Sequence, residues 1–196
     1  MLTKGYAINS SAVDRILERV QAFSAREDWE KAESLLDKLL FAKPWDSKLL
    51  LCKAHLRKRM WIASNCENYE LLEDSVRLFS RCHLITGSSE AGINTATLLL
   101  LSGKEEDAYK KASETSRHCR NLILEGDHEL DGYFAAIIAE ANLIRGRLEA
   151  AESWYETASS QDGSIADKFK ENMSLLLEHS VSESKTVTRM RKALRA

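Results

Sequence analysis

One short spacing pattern constrains the fold of this chain more than any other feature. In the stretch DWEKAESLLDKLLFAKP, the residues Leu36, Leu39 and Pro44 follow Ala32 at intervals of 4, 7 and 12 residues. A small residue lets two antiparallel helices approach closely, a large residue one turn later fills the neighbouring gap, and proline stops the helix. The pattern predicts the second helix of a helical hairpin.

The same spacing recurs further along the chain. The further copies are Ser75, Phe79, Cys82 and Gly87, then a weaker set of Ala108, Ala112 and Thr115, then Ala151, Tyr155, Ala158 and Gly163. The anchors at 32, 75, 108 and 151 are separated by 43, 33 and 43 residues. A tetratricopeptide repeat has a period of about 34 residues, so the chain resembles that repeat with insertions of roughly nine residues in two units.

Turn formers are scarce, with one proline and 8 glycines in 196 residues. Together with the repeat, this predicts an all-α fold: a right-handed α-α superhelix, or tetratricopeptide-like solenoid, of about four hairpins and a C-terminal capping helix. We expect one repeat domain over 1–180 and a basic tail or short helix over 181–196. Helices are expected near 11–25, 29–42, 46–60, 68–84, 89–102, 104–124, 129–145 and 148–160.

The stretch GINTATLLLLSGKEEDA tests this interpretation, because four leucines before a glycine could also form a strand beside a phosphate-binding turn. No G-x-G-x-x-G or Lys-Ser/Thr pattern follows, so we predict a helix corner with Gly103 at the turn. The capping helix is predicted to begin with Ser164 as N-cap. Its apolar face would hold Ile165, Phe169, Met173 and Leu176.

The formal net charge is −2. The tail Val181–Ala196 is basic, so the rest of the chain is more acidic than this value suggests. We therefore expect nucleic acid to be an unlikely partner and the membrane not to be one. No segment has signal-peptide or transmembrane character, which favours a cytoplasmic protein. The four cysteines form no C-x-x-C pair, which indicates reduced thiols.

Two runs resemble a known family. They are GINTATLLLLSGKEEDAYKKA and YFAAIIAEANLIRGRLEAAESWYETA, with the likeness best between Leu71 and Ala158. They are similar to the tetratricopeptide-like TRAF-binding domain of apoptosis signal-regulating mitogen-activated kinase kinase kinases and related bacterial proteins. The resemblance implies a regulatory platform for partner proteins. The kinase motifs H-R-D and D-F-G are absent, so we expect the platform to be non-catalytic.

The resemblance to tetratricopeptide arrays also implies a groove lined by the first helix of each hairpin. Counting back from the anchors places these residues in it: Asp14, Leu17, Glu18 and Gln21; Glu90, Ile93, Asn94 and Thr97; Tyr133, Ala136, Ile137 and Glu140. The candidate partner-binding residues are Asn94, Glu90, Thr97, Glu18, Gln21, Tyr133 and Glu140. The groove is acidic, which favours a basic peptide or cationic protein surface.

Asn94 stands where related arrays use an amide to hold a ligand backbone, since an amide both donates and accepts. The alternative is that Asn94 bonds a neighbouring helix carbonyl as a structural contact.

The sequence gives only weak signals for a metal site, a catalytic site or a phosphate contact. Cysteines and histidines at 52, 55, 82, 83, 118 and 119 could supply zinc ligands or a Cys-His nucleophile, but their spacing joins no such site. We predict no cofactor, metal or catalytic residue. The segment Arg57–Trp61, placed at the insertion after the third helix, could be a basic loop that contacts phosphate.

The sequence therefore predicts a non-catalytic scaffold or regulatory adaptor that binds a protein segment in a helical groove. The alternative is an accessory sensor subunit that binds a small ligand or nucleotide.

Overall fold

The computed structural model describes residues 10–125, 131–161, 163–179, 188, 191 and 192. This part of the chain is helical and contains no strand. Nine helices lie within it: α1 Ser10–Ala25, α2 Trp29–Ala42, α3 Ser47–Ala63, α4 Tyr69–Thr86, α5 Ser89–Leu101, α6 Glu105–Leu124, α7 Gly132–Ile144, α8 Leu148–Gln161 and α9 Gly163–His179. The eight helices predicted before the cap are confirmed, with their ends within three residues of the observed ones.

The contacts divide the chain into two compact units, residues 1–81 and 82–196. The predicted single domain over 1–180 stays a prediction. Most of the predicted tail lies outside the described residues, and within it Arg191 donates a hydrogen bond to the carbonyl of Leu177 in α9.

The repeat positions are buried as the spacing requires. The four anchors Ala32, Ser75, Ala108 and Ala151 are completely buried. The large and small residues that follow each anchor, from Leu36 and Leu39 to Tyr155 and Ala158, are buried as well. The pattern therefore identified the helix faces that pack inward.

In the first unit, α1, α2 and α3 pack against one another around Leu36, Leu49 and Leu56. The start of α4 joins α3 where the Ser75 hydroxyl donates to the Ala54 carbonyl at 2.9 Å. Phe79 is completely buried there and meets the His55 ring edge-on, at 4.9 Å between centroids.

In the second unit, α5 to α9 surround one apolar core. α5 and α7 are its central helices, and each has a side-chain N-cap. The Ser88 hydroxyl accepts from the Ala91 amide at 3.3 Å, and the Asp131 carboxylate accepts from the Phe134 amide at 2.9 Å. These caps satisfy orphan amides at the helix starts, so two largely apolar helices begin at defined residues.

The corner between α5 and α6 confirms the helical interpretation of the leucine run. Leu98 is completely buried, and the three leucines after it are half-buried. Gly103 follows with φ of +78°, a left-handed conformation that glycine adopts readily.

Two local predictions were wrong. Ser164 is not an N-cap, because α9 already begins at Gly163. The segment Arg57–Trp61 is not a loop, because α3 continues to Ala63. Within α3, Trp61 is 2% exposed, and Arg57 faces Glu33 and Asp74.

The longer spacings between anchors contain long helices. α3 has 17 residues and α6 has 20, and they account for part of the extra length. Within the described residues, no helix is both long enough and apolar enough to cross a membrane.

Candidate functional site

Five of the seven predicted binding residues lie on two helices of the second unit. Glu90, Asn94 and Thr97 are on α5, and Tyr133 and Glu140 are on α7. α5 and α7 contact each other directly. We call the surface formed by these five residues the α5–α7 face.

The other two predicted residues, Glu18 and Gln21, lie on α1 in the first unit, where both are exposed. Of the remaining groove positions, Asp14 is exposed and forms an ion pair with Lys48 at 3.4 Å. The assignment of Glu18 and Gln21 to a binding surface stays a prediction.

The inner part of the α5–α7 face is closed. Thr97 and Glu140 are completely buried, and Asn94 is 4% exposed. The Thr97 hydroxyl donates to Oε1 of Glu140, which joins α5 to α7. Because hydrogen bonds gain strength in an environment of low dielectric constant, this buried contact fixes the register of the two helices.

A third helix completes the polar cluster. Nδ2 of Asn172, on α9, donates to Oε1 of Glu140 at 2.7 Å and to Oδ1 of Asn94 at 3.3 Å. Asn172 is 3% exposed. Sequence reasoning missed this residue. The signal was a polar residue three positions after Phe169 and one before Met173, on the apolar face of the predicted capping helix.

Asn94 uses its amide internally. Its Nδ2 donates to the Glu90 carbonyl at 3.0 Å, one turn back along α5, and its Oδ1 accepts from Asn172. These are structural contacts of the kind that the alternative interpretation named, although the carbonyl belongs to its own helix. The role of Asn94 in holding a ligand stays a prediction.

Glu90 and Tyr133 form the half-buried edge of the face. Burial raises the pKa of the Tyr133 phenol above its ordinary value, and the negative charge of Glu90 raises it further. The Tyr133 ring also meets the rings of Phe134 and Phe169 edge-on, at centroid distances of 5.5 and 5.8 Å. This edge therefore combines an acidic group with an aromatic surface.

One glycine brings α5 close to its neighbours. A Cβ atom at Gly92 would lie 2.6 Å from Oγ1 of Thr115 on α6 and 3.0 Å from Nδ1 of His83. Such distances are shorter than van der Waals contact, so only glycine fits here without displacement of α6 or the histidine ring. Gly92 thus sets the position of the helix that carries Asn94 and Thr97.

The cysteines and histidines that the structure describes do not assemble into a metal centre. Among the described residues, no three side chains of His, Cys, Asp or Glu form a group with metal-ligating geometry. All four cysteines are described, and they carry thiols rather than disulfides. Burial raises the pKa of the Cys52 thiol to about 11, and burial also raises the pKa values of Cys82 and Cys119.

A family model described as the MAP3K TRAFs-binding domain matches residues 17–124. The match covers more than half of the 196 residues. The chain belongs to this family. As a TRAF-binding domain, it has a role in protein–protein interaction.

The matched part of this TRAF-binding domain extends from α1 to the end of α6. The first run that carried the resemblance, GINTATLLLLSGKEEDAYKKA, lies inside the match, which confirms the predicted family. The second run begins at Tyr133 and lies beyond it. No individual curated protein matches the sequence.

Proposed function

We propose that this TRAF-binding domain is a non-catalytic adaptor that binds a protein segment at the α5–α7 face. The observation that carries the proposal is the convergence of Glu90, Asn94, Thr97, Tyr133 and Glu140 on two adjacent helices. An amide, a hydroxyl, a phenol and two carboxyl groups supply the donors and acceptors that a peptide segment needs for recognition.

The charge of the α5–α7 face supports a basic partner, because Glu90 lies at its half-buried edge. Acidic groups that remain accessible to water speed the association with a cationic segment and discriminate against an acidic one. The family description names TRAF proteins, so a TRAF protein is the first partner to test. The thiols are consistent with a reducing compartment, and we place the protein in the cytoplasm.

The experiment compares the full chain with an Asn94→Ala/Glu90→Ala double variant and with Glu90→Lys. Binding of a purified TRAF protein and of a panel of basic peptides is measured by calorimetry at low and high salt. The matched control is Glu149→Lys, which changes the same charge on an exposed residue of α8. Circular dichroism establishes that each variant is folded.

We expect Glu90→Lys to weaken binding about tenfold at low salt and less at high salt, because a rim charge acts mainly through screened electrostatics. The double variant is expected to abolish binding, and the control to bind as the native chain does. Equal affinities for all four folded proteins would refute the assignment of the α5–α7 face.

A cleft in the first unit favours the alternative function, a sensor for a small ligand or nucleotide. The cleft has a volume of about 420 Å³ and is lined by Val13, Asp14, Lys43, Trp45, Asp46, Ser47 and Lys48. Trp45 is 66% exposed, with the Arg81 guanidinium stacked 3.9 Å from its ring centroid. An aromatic ring beside cationic groups can stack a base and attract a phosphate.

The test of this alternative is a thermal-shift assay with a panel of nucleotides. Trp45→Ala is the variant, and Trp29→Ala controls for the loss of a tryptophan in the same unit. A nucleotide that stabilises the native chain and Trp29→Ala but not Trp45→Ala would establish the sensor. No stabilisation of the native chain by any nucleotide would eliminate it.

A further inference from the structure

A helix of the protein already lies on the α5–α7 face. α9 contacts α5, α7 and α8. Its side chains Phe169, Met173, Leu176 and Leu177 are between 0% and 4% exposed and join the apolar core of the second unit. The Phe169 ring packs beside Tyr133, at the edge of the face.

The polar contact of α9 is specific. Asn172 places one amide nitrogen against both Glu140 and Asn94, which are two of the predicted ligand-binding residues. An amide donor that meets the carboxylate of Glu140 and the side-chain carbonyl of Asn94 makes the same contacts as the backbone amide of a bound segment. α9 thus forms with the α5–α7 face the hydrogen bonds that a ligand would form.

A capping helix does not need this contact. To cover the last hairpin, a cap has to pack apolar side chains against α7 and α8 and turn a polar side to water. The contact with α5, and the hydrogen bond to Asn94 across 78 residues of sequence, go beyond that requirement. In some proteins, buried polar contacts of this kind add little net stability but specify one partner and one register.

We infer that the α5–α7 face is a helix-binding groove, that α9 is its resident occupant, and that a partner's amphipathic helix binds there in competition with α9. This inference rests on the proposed function and states the form of the partner. The partner helix would repeat the face of α9, with apolar residues at the positions of Phe169, Met173, Leu176 and Leu177 and an amide at the position of Asn172. Basic residues at its end would meet Glu90.

Competition makes α9 a regulator of the site. A partner binds only the fraction of molecules in which α9 has left the groove, so its apparent affinity falls by that fraction. Any change that weakens the docking of α9 therefore raises the affinity for the partner without altering the groove.

The experiment uses the full chain and the substitution Asn172→Asp. The new carboxyl group would lie beside that of Glu140 in a buried site, where the amide donor is lost and two adjacent carboxyl groups cannot both be ionised without strong repulsion. Ser159→Asp, on an exposed part of α8, adds the same charge as a matched control. Hydrogen exchange followed by mass spectrometry measures protection in α9, α5 and α7 separately.

We expect Asn172→Asp to speed exchange in α9 about tenfold or more, with α5 and α7 still protected and the control unchanged. A synthetic peptide of residues 163–179 is then added in trans as the probe. This peptide should bind the Asn172→Asp chain about tenfold more tightly than it binds the native chain. A peptide that itself carries Asn172→Asp should not bind the Asn172→Asp chain more tightly than the native chain.

A double variant keeps the test valid if Asn172→Asp alone disturbs the fold. In Asn172→Asp/Glu140→Gln the contact with residue 140 is reversed, since the amide of residue 140 can donate to the carboxylate of residue 172, whereas the hydrogen bond to Oδ1 of Asn94 stays lost. We expect the protection of α9 to return in part. The inference is overturned if α9 stays protected in the single variant, if the double variant does not recover, or if the peptide binds native and variant chains equally.

These outcomes are distinguishable from failure of the proposed function. Absence of binding to TRAF proteins and basic peptides would refute the proposed partners but leave the exchange and peptide results unchanged. Conversely, full protection of α9 in Asn172→Asp would refute the competition and leave any measured partner binding intact.

Discussion

The two compact units place their polar groups in different environments. In the first unit, charged side chains form ion pairs at or near the surface, such as Arg57 with Glu33 at 2.6 Å and Lys31 with Asp28 at 3.2 Å. In the second unit, Thr97, Glu140 and Asn172 form hydrogen bonds inside the core. Water screens the Lys31–Asp28 pair, reaches the Arg57–Glu33 pair only in part, and is excluded from the second set.

This difference predicts where substitutions should change stability most. A solvated ion pair gains little, because water replaces each partner when the pair breaks. A buried donor or acceptor that loses its partner keeps the whole cost of desolvation. We therefore expect substitutions in the buried network of the second unit to cost more stability than substitutions in the ion pairs of the first unit.

The largest effect is expected at Glu140. Glu140→Ala removes the acceptor shared by Thr97 and Asn172 and leaves a cavity, which should lower the free energy of unfolding by about 3–5 kcal/mol. Glu140→Gln keeps one acceptor oxygen and should cost less. Urea denaturation measures both, with Glu156→Ala on the exposed surface of α8 as the control. A cost for Glu140→Ala no greater than for Glu156→Ala would contradict the comparison.

The next effect is expected at Gly92, where α5 lies close to Thr115 of α6. Gly92→Ala places a methyl group 2.6 Å from Oγ1 of Thr115 and should cost about 1–3 kcal/mol. Adding Thr115→Ala should recover part of the loss, because the two side chains compete for one space.

Gly103→Ala separates packing from backbone strain. No atom lies within 4 Å of a Cβ at Gly103, but its φ of +78° disfavours alanine, so we expect a cost of about 1 kcal/mol. Thermal denaturation of these variants decides between the causes. Failure of Thr115→Ala to rescue Gly92→Ala would show that the contact does not limit the packing.

A smaller effect is expected in the first unit at Arg57. Arg57→Met leaves Glu33 and Asp74 without their shared cation and should cost about 1 kcal/mol at low salt. The cost should shrink at 1 M salt, since ions screen partly exposed charges. Lys31→Met, on the more exposed pair, should change stability by less than about 0.5 kcal/mol. If the cost of Arg57→Met did not depend on salt, the ion pairs of Arg57 would be as inaccessible to ions as the buried network of the second unit is.

The last effect concerns Cys52 and depends on pH. Because burial raises its pKa to about 11, the unfolded chain loses the thiol proton near pH 9 while the folded chain keeps it. The stability that Cys52 contributes is therefore complete below pH 9 and is lost as the pH rises toward 11. Cys52→Ala should flatten this slope and Cys66→Ala should not, as measured by denaturation at pH 8 and pH 10. An unchanged slope in Cys52→Ala would assign the pH dependence to other groups.

Much of the fold could be predicted because helix formation and burial follow local patterns. The spacing from Ala32 to Leu39, and its copies, identified buried faces without any tertiary information. The start of α9 was misplaced because a serine before an apolar run has the same local signature whether the helix begins at it or one residue earlier. Residues 57–61 were assigned to a loop because they were placed at the insertion predicted after the third helix, whereas α3 continues to Ala63 and Arg57 pairs with Glu33 and Asp74 from two other helices.

The candidate site was predictable only in part. Glu90, Asn94, Thr97, Tyr133 and Glu140 could be assigned to the first helices of two hairpins by counting from the anchors. The contact of α9 with these residues could not be predicted, because packing, and not a repeat in the sequence, brings together residues 94 and 172, which are 78 positions apart.

The sequence by itself determined the helices, their inward faces and the family of this protein, because those properties depend on residue types at short, regular intervals. Only the tertiary structure decided what covers the α5–α7 face. Apolar burial drives α9 to pack somewhere, but it is non-directional. On this face the apolar side chains of α9 join the core and the amide of Asn172 meets Glu140 and Asn94, and such contacts exist only once the helices are packed together.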